Sequence, residues 1–134
     1  MPKLARIKDE PVFITIQGKT AVNVCVLGMG YIGLPTAALL ANAGHNVLGV
    51  DINPDVVNTI NQGSIHIEEP GLAQAVKTAV DSGKLTAAEA PQAAEVFIIA
   101  VPTPFKDGNV PDMSYVQSAA TAIAKSFLVQ SLGG

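Results

Sequence analysis

The sequence has no tryptophan and one cysteine in 134 residues, and aromatic side chains make up 4% of it. A single thiol, Cys25, excludes an internal disulfide and leaves no thiolate-rich metal site. So few rings argue against recognition of bases or sugars by stacking. Charge is scarce as well: Asp, Glu, Lys and Arg are 14% of the residues, against roughly 25% in an average globular chain. Eight Lys and Arg stand against eleven Asp and Glu, a formal net charge of -3. No basic stripe is available to neutralise a phosphate backbone, so nucleic acid is not an expected partner. Apolar runs such as residues 96–101 fall far short of the roughly 18 residues a membrane span needs, so no membrane partner is expected. The first ten residues mix Lys3, Arg6 and Lys8 with Asp9 and Glu10 and contain no apolar stretch. They do not read as a secretory signal, and a cytoplasmic location is the default expectation.

What the chain does have is a hydrophobic content of 49%. That is too much for a disordered polypeptide and enough to fill the core of one domain. Residues 1–20 read as a charged lead-in with Pro2, Pro11 and Gly18 as breakers and a short extended segment at 12–16. The run Ala-Val-Asn-Val-Cys-Val-Leu at 21–27 is β-branched and largely apolar, as in strands covered on both faces. A glycine turn follows, then a helix over 31–43 stopped by Gly44. Residues 46–50 read as a second strand ending at Asp51. Asn53 caps the next helix, Pro54 occupies its first turn and Gly63 ends it.

Beyond a loop at 63–71, Leu72, Ala75, Val76, Ala79 and Val80 carry helical spacing over 72–82. Residues 84–87 predict a short strand and 95–101 a stronger one, ended by Pro102 and Pro104. A last helix opens at 111–114, with Val116, Ala119, Ala120 and Ile123 along one face. Strands alternating with helices imply a doubly wound α/β fold with a parallel sheet over 21–134.

Gly28-Met29-Gly30-Tyr31-Ile32-Gly33 falls where the first strand ends and the first helix begins. In a dinucleotide-binding turn the first glycine permits the bend, the second lets backbone approach a pyrophosphate, and the third lets helix pack on strand. Free amides and the helix dipole then favour the phosphate charge. Asp51 ends the second strand eighteen residues after Gly33. A carboxylate there accepts hydrogen bonds from ribose hydroxyls and repels a 2′-phosphate, which favours NAD over NADP. Thr103, in Val101-Pro102-Thr103-Pro104, either faces a bound dinucleotide or merely belongs to a rigid loop.

The remaining reactive side chains read as structural. Cys25 falls mid-strand and reads as a core residue, without the access a nucleophile needs. His45 is expected to be solvated at a helix end, Tyr31 to pack, and His66 with Glu68 and Glu69 to form a surface loop. No catalytic constellation and no metal-ligand set is present.

Several segments together resemble the N-terminal domain of the nucleotide-sugar 6-dehydrogenases, the UDP-glucose/GDP-mannose dehydrogenase family. They are GMGYIGLP at 28–35, VDINPDVVNTIN at 50–61, EPGL at 69–72 and VPTP at 101–104. Within the family, IHIEEPGL at 65–72, VPTPF at 101–105 and PDMSYV at 111–116 look most like the UDP-N-acetyl-D-mannosamine dehydrogenases. The resemblance implies a Rossmann-type sheet and a two-step, NAD-dependent oxidation of a sugar C6 alcohol to a carboxylate. A cysteine holds the aldehyde-level intermediate in that chemistry. It also implies dinucleotide contacts at Gly28, Gly30, Gly33, Asp51 and Thr103, with the backbone amides of Tyr31 and Ile32 beside them.

Two departures stand out. Val56 occupies the place where some relatives carry a basic residue near the adenosine ribose. The family's further strand with its Ser-Thr-x-Pro-x-Gly segment, its central helix and its sugar domain with the catalytic cysteine have no counterpart in these residues. The expectation is therefore a Rossmann domain truncated after the fourth strand and its following helix, inactive alone, with the UDP-sugar bound only by a full-length enzyme. The other reading is a stand-alone NAD-binding or partner-binding module. Either way the fourth strand would be left at an open edge, inviting homodimers or aggregates unless residues 127–132 cover it.

Overall fold

The computed structural model describes residues 21–106, 108 and 110–133, with the side chains of residues 105 and 127–133 left aside. The lead-in at 1–20 and its extended segment at 12–16 lie outside the described residues.

Four parallel strands form one sheet in the order β3-β2-β1-β4. They are β1 (Asn23–Leu27), β2 (Asn46–Val50), β3 (Leu85–Ala88) and β4 (Val96–Ile99). β1 is central because its side chains are apolar on both sides. Val24 and Val26 face one layer, and Cys25 and Leu27 face the other. On the first face, α1 (Gly33–Asn42), α2 (Pro54–Asn61) and α3 (Leu72–Asp81) bury Leu34, Ala38, Ile60 and Val76 against the sheet. On the second face, α4 (Ser114–Gly133) brings Ala119 against Cys25, Leu27 and Val50 in a much smaller cluster. Helices on both faces of a parallel sheet make the doubly wound α/β architecture that the sequence pattern predicts. A small antiparallel pair, β5 (Phe105–Lys106) with β6 (Val110–Pro111), precedes α4 and has no clear sequence signature.

Local chemistry sets the joints. The Asn53 side chain accepts the Asp55 N–H at 3.0 Å and caps α2, whose first position is Pro54. The Asn61 side chain clamps β3 from the end of α2. Its Nδ2 donates to the Ala87 carbonyl at 3.0 Å, and its Oδ1 accepts the Ala87 N–H at 2.8 Å. The outward-facing backbone groups of Ala87 on that edge of the sheet are thereby paired. No further strand pairs with β4 among the described residues, and residues 127–132 continue α4 rather than adding a strand.

Three sequence expectations need correction. His45 is buried rather than solvated, because its Nδ1 accepts the Val22 N–H at 3.1 Å and so satisfies a donor just before β1. Tyr31 does not pack: it lies in the turn before α1 and is 67% exposed. β4 is shorter than expected because its partner β1 ends at Leu27. The last bond along that seam is the Ala100 N–H to the Leu27 carbonyl, 2.7 Å.

Candidate functional site

The carboxyl ends of β1, β2 and β4 meet around the glycine turn, the side of such sheets where ligands bind. Gly28 has a φ of 102°, and a Cβ there would meet the Ala100 carbonyl oxygen at 2.6 Å. It needs both the left-handed backbone and the close approach. A Cβ on Gly33 would fall on the Gly28 carbonyl, so the start of α1 can sit on the turn only without a side chain. Gly30 differs. Apart from its two chain neighbours, no described residue lies within 4 Å of where its Cβ would be. The fold itself therefore makes no steric demand for glycine at this position, and the space above it is open.

The N–H groups of Gly30, Tyr31, Ile32 and Gly33 find no acceptor among the described residues, whereas the Leu34 N–H already bonds the Gly30 carbonyl at 3.1 Å. Unpartnered amides at the start of a helix form a site for an anion. α1 has no acidic side chain in its first turn to compete for that role.

Asp51, just past β2, is tied into the turn. Its Oδ2 accepts the Met29 N–H at 3.1 Å and its Oδ1 accepts the Asn53 N–H at 3.0 Å. A carboxylate has about four lone-pair sites, so both oxygens keep capacity for hydroxyl donors. The neighbouring Ile52 side chain is 81% exposed, and Ile32 is 72% exposed. Nothing in the sequence marks Met29, and for Ile52 the local signal is its place directly after the strand-end acid.

Thr103 lies in an exposed loop two residues beyond Val101, whose backbone nitrogen would be 3.0 Å from a Cβ on Gly28. The loop thus leaves from beside the turn. Cys25 stands apart from this end of the sheet. It is fully buried in β1, and burial raises its thiol pKa, partly offset by a backbone hydrogen bond from Gln92. His66, Glu68 and Glu69 are exposed, and no three metal-ligating side chains converge among the described residues. A cavity of about 290 Å³ opens at the opposite end of the strands, beside Asn23, Asn46, Lys84 and Gln92. It is remote from the turn.

A strand-to-helix glycine turn with free amides, next to a carboxylate at the end of the adjacent strand, defines a dinucleotide-binding α/β domain of the Rossmann class. The chain belongs to the UDP-glucose/GDP-mannose dehydrogenase family: the model of its NAD binding domain matches residues 22–132.

The chain is 57% identical over 102 residues to the UDP-N-acetyl-D-mannosamine dehydrogenase of Escherichia coli, covering 76% of this chain and 24% of that one. It is 55% identical, over the same length and with the same coverage, to the NDP-N-acetyl-D-galactosaminuronic acid dehydrogenase of Ralstonia nicotianae. Among solved structures, the UDP-N-acetyl-mannosamine dehydrogenase of Staphylococcus aureus superposes with a TM-score of 0.75 at 45% identity, covering 77% of this chain and 26% of that one. A UDP-glucose dehydrogenase from Pyrobaculum islandicum also reaches a TM-score of 0.75, at 36% identity, over 84% of this chain and 27% of that one. The chain spans about a quarter of the length of these relatives. No helix among the described residues is long and apolar enough to cross a membrane.

Proposed function

We propose that this chain is the cofactor-holding part of a UDP-sugar 6-dehydrogenase, with a UDP-N-acetylhexosamine such as UDP-N-acetyl-D-mannosamine as the substrate class, acting in the cytoplasm. The observation that carries this reading is Gly30, a glycine with open space above it beside unpartnered helix-start amides. In this reading the Tyr31, Ile32 and Gly33 amides hold the pyrophosphate, and Gly28 and Gly33 keep the turn tight enough to present them. Asp51 orients the adenosine ribose through its remaining lone pairs and repels a 2′-phosphate. Ile52 offers apolar surface to the adenine, and Thr103 closes the far side of the site. NAD, when bound, supplies the hydride acceptor for each oxidation step.

The nucleophile that holds the aldehyde-level intermediate is not among these residues. Cys25 is enclosed in the sheet with its pKa raised, so its thiolate is both disfavoured and inaccessible. Oxidation of a sugar accordingly needs the rest of a dehydrogenase, and this chain alone is inactive. The test is a calorimetric titration of the chain with NAD, with NADP, and with NAD after Asp51→Ala. NAD binding that weakens about tenfold in the variant, roughly 1.4 kcal/mol, together with weaker NADP binding, supports the reading. A folded chain that ignores NAD sinks it, and turnover of a UDP-sugar by the chain alone sinks the claim of inactivity.

A further inference from the structure

Met29 is the position of the glycine turn with no required side chain, yet it is fully buried. Its side chain lies over Gly49, the last residue but one of β2. A Cβ built on Gly49 would meet the Met29 Sδ at 2.5 Å and its Cε at 3.2 Å. Gly49 has no left-handed φ to explain the glycine, and glycine inside a strand weakens it. The explanation left is space: the strand is notched to receive the methionine.

The same residue reaches β2 a second time. Two positions past the notch, Asp51 takes the Met29 N–H on its Oδ2. Side chain and amide therefore grip the strand together, one at Gly49 and one at the carboxylate. A methyl group at Gly49 would press first on the flexible end of Met29; because that end is fully buried, the room it can yield is limited and part of the strain passes to the turn that carries its amide.

We infer that Met29 is a positioning residue for cofactor choice: seated in the Gly49 notch, it sets the rotation of the Asp51 carboxylate and with it the discrimination of NAD from NADP. This rests on the reading of the site as an NAD site. A carboxylate turned off its setting loses hydroxyl hydrogen bonds to NAD and at the same time repels a 2′-phosphate less. Displacing Met29 thus lowers NAD affinity while leaving NADP affinity level or higher. General damage to the turn would weaken both alike, because both cofactors carry the same pyrophosphate.

The experiment titrates the 134-residue chain and its variants with both cofactors, with circular dichroism confirming the fold. In Gly49→Ala the NAD affinity is expected to fall about fivefold, within the range of losing one charge-assisted hydrogen bond, and the NAD-to-NADP preference to fall with it. Adding Met29→Ala empties the space above the new methyl group and is expected to recover most of the preference. If Gly49→Ala does not fold, Met29→Ala and Met29→Leu carry the test. The first removes the wedge and lowers the preference, whereas the second refills the notch and keeps it. An unchanged preference in Gly49→Ala or in Met29→Ala overturns the inference, as does an equal loss of both cofactors. Failure of the unmodified chain to bind NAD overturns the site reading itself, and this inference with it.

Discussion

Gly30→Ala separates what the fold needs from what the ligand needs. Apart from its chain neighbours a methyl group there meets no described residue within 4 Å, and the position has no left-handed φ, so the native backbone accepts alanine. Replacing glycine at a compatible position restricts the unfolded chain and stabilises by about 0.4–1 kcal/mol. For a domain of this size that corresponds to a melting temperature raised by roughly 2–6 °C. Binding moves the other way. The methyl group occupies the approach to the Tyr31, Ile32 and Gly33 amides, and each charge-assisted hydrogen bond lost costs about 1.5–3 kcal/mol. NAD affinity is expected to fall by tenfold to a hundredfold or more. Thermal melting and calorimetry on the same preparation read both effects, with Gly33→Ala as the contrast. There the new Cβ collides with the Gly28 carbonyl, so stability and binding fall together. A Gly30→Ala chain that melts lower, or that binds NAD as well as the parent, refutes the reasoning.

Four further expectations use other joints. Asn61→Ala removes both hydrogen bonds to Ala87 and should cost about 1–3 kcal/mol in urea unfolding; a loss under 0.5 kcal/mol would show that water replaces the clamp. His45→Ala strands the buried Val22 N–H at a cost of about 1–3 kcal/mol, read by the same assay, and an unchanged midpoint would deny that role. Asp112 has a lowered pKa, chiefly because its carboxylate accepts the Ser114 backbone N–H at the start of α4. Its support is therefore complete above the ordinary carboxylate range and lost as pH falls through the lowered value. The protection of the Ser114 amide, its exchange relative to the intrinsic rate at the same pH, should fall on acidification, and Asp112→Asn should flatten that dependence. Among the described residues no strand pairs with the outer edge of β4; an edge of that kind should make the chain associate as concentration rises, and sedimentation that finds only monomer would argue against it.

The sequence announced the strands and the glycine turn because their signals are local: β-branched runs, glycine at set intervals, proline after a cap. Asp51 was legible for the same reason, lying one strand length past the first helix. The pairings that connect distant segments were not. His45 looks like a helix-end residue until β1 and β2 lie side by side and its ring meets the Val22 amide, 23 positions away. Asn61 reads as an ordinary polar helix terminus, yet its partner Ala87 is 26 positions on. Met29 fills the variable place in a motif whose other letters draw the eye. Only the notch at Gly49 gives its side chain a role. β5 and β6 are two residues each, too short for any periodicity to register.

The two faces of the sheet are unequally filled, and that gives the domain a grain. Three helices bury the first face around Leu34, Ile60 and Val76, whereas among the described residues Ala119 is the one buried α4 residue in the second cluster. β4 is only partly covered, with Ile99 39% exposed. Local opening should therefore begin at β4 and α4 and reach β1 and β2 last. The candidate site straddles this seam, with the glycine turn and Asp51 rooted in the better-buried layer and Thr103 at the end of the less-buried one. A dinucleotide spanning both would act as a staple, so hydrogen exchange in β4 should slow on binding far more than exchange in β1.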